Sequence, residues 1–381
     1  MEKNTIMEMA KAMDADVRTF RHDLHQRAEL ALEEHETAAY IRKVLAENGI
    51  AYRCYQTGTI AEIGSGLGHP VLALRADIDA LPIQEPLGSP YRSTHEGCMH
   101  ACGHDCHASM LLAATIATHQ HEDELTKPVR FIFQPAEENH GGSVSMIKDG
   151  CLENVSAIYC LHMQSEREIG HFATRKSCIH ASSDGFVIKV FGKSAHGASP
   201  NEGVDAIWVS SQIITALQGL ISRETSAFDN AVLSIGKING GTARNILCQE
   251  VVMDGTLRST SKQLRDTLVR RINEVVCEMA HSLQAEASFE IVQSYASCSN
   301  DEKATDAAVA TVVSLYGQDH IEILDRPSMG GEDFGFYEEL VPGCKLFLGT
   351  GTTSRIHTDT FSVNEDTLVY GVGFFLSLIF H

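Results

Sequence analysis

Residues 99–107 read MHACGHDCH, which puts three histidines, two cysteines and an aspartate into nine positions. Gly103 separates Cys102 from His104, and its missing side chain permits a tight turn after which thiolate and imidazole can face one point. Both groups are good ligands for zinc and similar borderline metals. A Cys-x-His pair alone is more often structural, but His100, Asp105 and His107 strengthen the metal reading, because a ligating histidine usually has a carboxylate or carbonyl fixing its tautomer. Further on, QPAEE (134–138) closes an apolar run with adjacent carboxylates, Glu137 and Glu138. They are either a solvated loop start or a division of labour, in which one holds a cation and the other moves a proton. YCLH (159–162) ends a second apolar run on His162, and RADIDALP (75–82) carries Asp77 and Asp79 as orienting groups or turn caps. His357, in SRIHTDTF, precedes the last apolar segment.

These side chains need a frame that brings them together. VLALRAD (71–77), VRFIFQP (129–135) and SAIYCLH (156–162) are short apolar runs separated by helix-length segments such as 105–120, a rhythm that predicts a mostly parallel sheet covered on both faces. Asp79, Cys102, His104, Glu138 and His162 all fall at the C-terminal ends of such runs or in the loops just after them, the rim where open α/β sheets bind ligands. From about 184 to 293 the pattern changes to strand 186–192, helix 203–222, strands 231–238 and 250–259, helix 261–283 and strand 285–292, the βαββαβ order of a ferredoxin-like unit. The expected organisation is an α/β catalytic domain in two segments, 1–183 and 296–381, interrupted by an inserted domain over 184–295. Ile6, Ala10, Met13, Val17, Phe20 and Leu24 form one stripe of an N-terminal helix, and a second helix over 37–48 has Gly49 just past its end.

With 50 Asp and Glu against 30 Lys and Arg, the net charge of −20 repels nucleic acid and anionic membrane surfaces, and neither is an expected partner. LVYGVGFFLSLIF (368–380) has 13 residues where a bilayer crossing takes about 20, so it reads as a core helix. The N-terminus lacks the apolar core of a signal peptide, and the eleven scattered cysteines read as reduced, so a cytoplasmic location is expected.

In order and spacing, RADIDALP, MHACGHD, FQPAEE, Leu161-His162, GKSAHGASP, GGTARNI, MGGEDFGFY and one late histidine resemble the metal-dependent amidohydrolases of the aminoacylase/carboxypeptidase clan. The nearest branch is that of hippurate hydrolases, N-acyl-amino-acid deacylases and plant auxin-conjugate hydrolases, and the likeness runs from about residue 20 to the end. The resemblance implies a zinc-peptidase-like three-layer catalytic domain with an inserted ferredoxin-like lid through which two copies pair. It implies two divalent ions per subunit, zinc being favoured by the cysteine and manganese or nickel being alternatives. The ligands would be Cys102 (bridging), His104, Glu138, His162 and His357, with Asp79 and Asp105 in support. Glu137 would be the general base, accepting the proton of a metal-activated water and passing it to the leaving nitrogen. His196 and Asn245 would reach the substrate from the lid, whose movement would hinge near 182–184 and 293–298. The expected substrate is an N-acyl amino acid or short peptide.

Two loops depart from the branch, LHMQSE after the third run and RIHTD around the late histidine, and both bear on specificity. Three rival readings stand beside this one. They are a thiol hydrolase with Cys102 as nucleophile and His104 as base, a non-catalytic metal- or peptide-binding protein, and a dipeptidase or carboxypeptidase sharing every site residue.

Overall fold

The computed structural model of the chain describes residues 1–68 and 70–381. They form two compact units: Met1–Ile179, Ser299–Arg326 and Asp333–His381 make the first, and His180–Cys298 with Pro327–Glu332 the second. The breaks thus fall a few residues outside the expected 184 and 295. Pro327–Glu332 joins the second unit because Ser328 bridges to His180 and its carbonyl accepts a hydrogen bond from Ala181 N–H at 2.9 Å.

The first unit is mixed α/β. Among the described residues its sheet has eight strands, in the order Tyr52–Tyr55, Gly58–Ile63, Val129–Gln134, Val71–Asp77, Val155–Gln164, Gly343–Gly349, Phe172–Thr174 and Ile321–Ile323. The four central strands run parallel, and Gly58–Ile63 and Phe172–Thr174 flank them antiparallel. Every residue of Val71–Asp77, Val129–Gln134 and Gly343–Gly349 is buried. Strands covered on both faces read as unbroken apolar runs, which is how Val71–Asp77 and Val129–Gln134 stand out in the sequence.

The N-terminal apolar stripe is carried by two helices, Lys3–Ala12 and Asp14–Gln26, and not by one. Met13, at φ −84° and ψ 0°, leaves helical geometry between them, yet Ile6, Ala10, Met13, Val17 and Leu24 all stay buried. The helix His104–Gln120 is buried without a break from His104 to Thr118, so it has no polar face. The final helix, Leu368–Phe380, packs closely on it at Gly371, where an added Cβ would stand 2.1 Å from Met110 Sδ. The last apolar run is therefore core, and no helix among the described residues is long and apolar enough to cross a membrane.

The second unit has a four-stranded antiparallel sheet in the order Glu286–Tyr295, Ser182–Phe191, Glu250–Ser259, Ala231–Gly240. Alternate residues such as Phe186, Ile188 and Val190 point to one face. There they pack with Val209, Ile213 and Leu217 of the helix Ala206–Gly219 and with Leu268, Ile272 and Val276 of the helix Lys262–Ser282. This is the ferredoxin-like βαββαβ order.

Candidate metal centre

Gly103 turns the chain into the helix His104–Gln120 with φ 90°, and an added Cβ would lie 2.8 Å from Met163 Cγ. Glycine is required twice over, by backbone angle and by space. Cys102 precedes the turn, and His104 is the first helical residue. His162, on the strand Val155–Gln164, donates from Nδ1 to the Met163 carbonyl at 2.8 Å, which leaves Nε2 facing Cys102 Sγ at 3.5 Å. Glu137 and Glu138 open the short helix Glu137–His140, just past the strand Val129–Gln134. Glu138 Oε1 lies 3.8 Å from His104 Nε2 and 3.4 Å from His357 Nε2. The His357 loop is tied in by its N–H, which donates to the Ala101 carbonyl at 2.8 Å.

Donor atoms within 4.8 Å of one another include the overlapping sets Cys102, His104 and His162; Cys102, Glu138 and His357; and His104, Glu137 and Glu138. His104 Nε2 and Glu138 Oε1 are both buried with no hydrogen-bond partner among the described residues. A lone pair and a carboxylate oxygen facing each other without a proton between them are costly in a protein interior. A cation satisfies both, and sulfur, imidazole and carboxylate donors together fit zinc or a similar divalent ion. Burial, beside the Glu138 carboxylate, pushes the Cys102 thiol well above its ordinary range. Such a thiol is no free nucleophile, which counts against the thiol-hydrolase reading.

The supporting groups are only partly those singled out from the sequence. Asp79 accepts from His104 Nδ1 at 3.2 Å and from the Glu138 N–H at 2.9 Å, so one carboxylate orients two of the donors. His107, a neighbour of the Cys102–His104 pair in the sequence, donates from Nδ1 to Asp77 and accepts at Nε2 from the Met163 N–H at 2.8 Å, steadying the strand that carries His162. Burial would raise the Asp77 carboxyl, but Arg75, His104 and His107 together hold it well below the ordinary carboxylate range. Arg75 and Asp333 were missed. The signal lay in VLALRAD, where a period of two puts a buried arginine and Asp77 on one face of an apolar strand.

Asp105, expected to support the ligands, bonds elsewhere. It accepts from Arg21 Nε at 3.2 Å and from His25 Nδ1 at 2.8 Å, while His25 Nε2 reaches Glu85 at 3.3 Å. Burial alone would lower His25, but the bonds to Asp105 and Glu85 outweigh it and the imidazole is raised to about 9. A raised pKa means that the charged form stabilises the fold. That contribution is complete below about 6.5 and is lost as pH rises through about 9, with a ceiling of roughly 3 kcal/mol. His25→Gln is thus expected to destabilise the protein more at pH 6 than at pH 10, as measured by urea unfolding. Equal losses at the two pH values would refute this assignment.

His196 and Asn245 lie in the second unit, outside the donor cluster. They are neighbours there, since the Gly197 N–H donates to the Asn245 carbonyl at 2.8 Å, and both residues are exposed.

Comparison with known proteins shows the family. Residues 73–381 match the model of peptidase family M20/M25/M40. The chain is 37% identical over 372 residues to an N-acetylcysteine deacetylase of Bacillus subtilis, covering 97% of each. It is 35% identical over 370 residues to the IAA-amino acid hydrolase ILR1-like 4 of Arabidopsis thaliana, covering 94% of this chain and 83% of that one. Among solved structures, the Bacillus subtilis protein YXEP, described as a dinuclear metal binding peptidase from the M20 family, superposes with a TM-score of 0.86 at 34% identity, covering 97% and 98% of the two chains. A match over most of the chain, on a fold whose parallel strands converge on this donor cluster, makes the protein a hydrolase of amide bonds belonging to peptidase family M20/M25/M40.

Proposed function

We propose that the chain hydrolyses the amide bond of N-acyl amino acids at a two-ion centre, with Glu137 as general base. The observation that carries this reading is the meeting of Glu137 with Cys102, His104, Glu138, His162 and His357 at one rim of the parallel sheet. Two of the donor sets share Cys102, which suits a thiolate bridging two ions. The names of the relatives, a deacetylase and an amino acid hydrolase, and the dinuclear description of the solved neighbour point the same way.

Divalent ions held there would supply Lewis acidity and lower the pKa of a water ligand, with zinc favoured by the thiolate and manganese or nickel as alternatives. Glu137, nearly buried beside the donors, takes the proton of the attacking water and delivers it to the departing nitrogen, so that the amino acid leaves as a neutral amine. Asp79 holds His104 and the Glu138 backbone in place while this happens. Asp105 acts at one remove, anchoring the first turn of the His104 helix through Arg21 and His25. His196 and Asn245 bind the substrate from the second unit, His196 at the carbonyl. Two chains pair through that unit. Its edge strand Ala231–Gly240 has an open side, and Ile207 and Trp208 on the helix Ala206–Gly219 are each about half exposed. Eleven free cysteines suit a reducing, cytoplasmic compartment.

The test is to count metal in the purified protein and to assay N-acetyl-amino acids, N-benzoyl-amino acids and dipeptides with and without added zinc, manganese or nickel. Two ions per chain are expected, with N-acyl hydrolysis lost to a chelator and restored by metal. Cleavage of dipeptides alone would make it a dipeptidase, and inactivity on the whole panel would return the binding-protein reading.

A further inference from the structure

Glu34 is completely buried at the start of the helix His35–Glu47, 102 residues before Ala136. Its Oε1 accepts from the Ala136 N–H at 2.8 Å and its Oε2 from the Thr57 hydroxyl at 2.7 Å. Ala136 has φ 55° and ψ 42°, a left-handed conformation that a residue with a Cβ rarely adopts. This residue also precedes Glu137 and Glu138 directly, so its backbone angles set the direction in which both carboxylates leave the sheet. No side chain caps the helix Glu137–His140 at Ala136. Strain of this kind persists only where surrounding bonds over-determine the backbone. Three bonds do so here. Glu34 holds the Ala136 N–H, the Gly142 N–H donates to the Ala136 carbonyl at 3.0 Å, and Asp79 holds the Glu138 N–H. Of the two carboxylates involved, Asp79 also touches a donor side chain, His104, whereas the two bonds of Glu34 go to Ala136 and Thr57.

We propose that Glu34 is a positioning residue that holds the Ala136 turn in its left-handed conformation and thereby aims Glu137 and Glu138 at the reacting centre. The inference rests on the reading of Glu137 as base and Glu138 as ligand given above. Removing the carboxylate leaves the Ala136 N–H buried and unpaired, and the turn relaxes toward an ordinary backbone conformation. A shift of about 1 Å in a catalytic group lowers turnover about a hundredfold. Glutamine, by contrast, can still accept from Ala136 and can donate its amide to Thr57.

The experiment compares Glu34→Ala, Glu34→Gln and Thr57→Val with the wild type. It reads kcat and KM on the best-turned-over N-acyl amino acid of the panel above, and separately follows cobalt titration by absorbance. Glu34→Ala is expected to lower kcat about 10- to 100-fold with KM changed less than threefold, and to need severalfold more cobalt for half-saturation, because Glu138 is misaimed as well. Glu34→Gln is expected to restore both to within threefold. If Glu34→Ala matches the wild type in both readouts, or if Glu34→Gln is as impaired as Glu34→Ala, the proposal is overturned. Should Glu34→Ala fail to fold, Thr57→Val decides in its place: a lowered kcat or cobalt affinity supports the proposal, and no change in either overturns it. Glu137→Gln in the same series separates the two levels of argument. An active Glu137→Gln defeats the assignment of the base, while the cobalt titration still tests Glu34.

Discussion

Replacing Glu137 by glutamine is expected to abolish most turnover while leaving metal content unchanged. Glutamine has the size of glutamate, and its carbonyl oxygen can still accept from the Asp333 N–H, which donates to Glu137 Oε1 at 3.4 Å. What it lacks is the ability to take up a proton at neutral pH. General acid–base catalysis of this kind contributes about 10²–10⁴-fold, and kcat is expected to fall by that factor with KM little altered. Bound metal should stay at the wild-type level, because Glu138, His104, Cys102, His162 and His357 supply the proposed donors. Metal analysis beside steady-state kinetics checks both halves. Activity within tenfold of the wild type would remove Glu137 from the mechanism. Loss of metal together with activity would move it among the ligands.

The largest effect on stability is expected from Arg75→Met. Arg75 is almost completely buried, and its guanidinium bonds three acceptors: Asp77 at 2.6 Å, the Gln134 side-chain oxygen at 2.8 Å and Asp333 at 2.8 Å. Asp333 in turn accepts from Gln134 Nε2 at 2.7 Å and from the Ser143 N–H at 3.0 Å, which joins the stretch Asp333–His381 of the first unit to the strand Val129–Gln134 and to the segment after the carboxylate turn. Methionine fills similar volume but leaves two buried carboxylates without their cation. Breaking one side of a buried ion pair costs about 3–5 kcal/mol, and that loss is expected in the denaturant transition of the first unit. Arg75→Lys should recover little of it, since a single ammonium cannot serve three acceptors spread around a planar fork. A loss under 1 kcal/mol for Arg75→Met would show the network to be dispensable.

The two networks differ in how visible they were before the fold was known. The donors Cys102, His104, Glu138 and His162 stood out because each ends or follows an apolar run, and the physics of a parallel sheet brings such ends to one rim. The central strands were legible for the same reason, being buried on both faces and therefore apolar throughout. The outer strands Tyr52–Tyr55, Gly58–Ile63 and Phe172–Thr174 were not. They are short, and a strand outside the buried centre is defined by the neighbour it pairs with more than by its own composition. The break at Met13 was hidden too, because the apolar stripe continues across it in phase.

By itself the sequence determined the fold class, the inserted βαββαβ unit and the residue types of the candidate metal ligands, since all three follow from local periodicity and from the chemistry of single side chains. Only the tertiary structure decided which carboxylate serves which partner. Asp105 sits next to a donor in sequence but turns to Arg21 and His25, whereas Glu34 and Arg75 reach the site's supports across 102 and 258 residues. Buried charges and backbone N–H groups must be paired wherever the crossings of the chain bring a partner within reach, and no local pattern records those crossings.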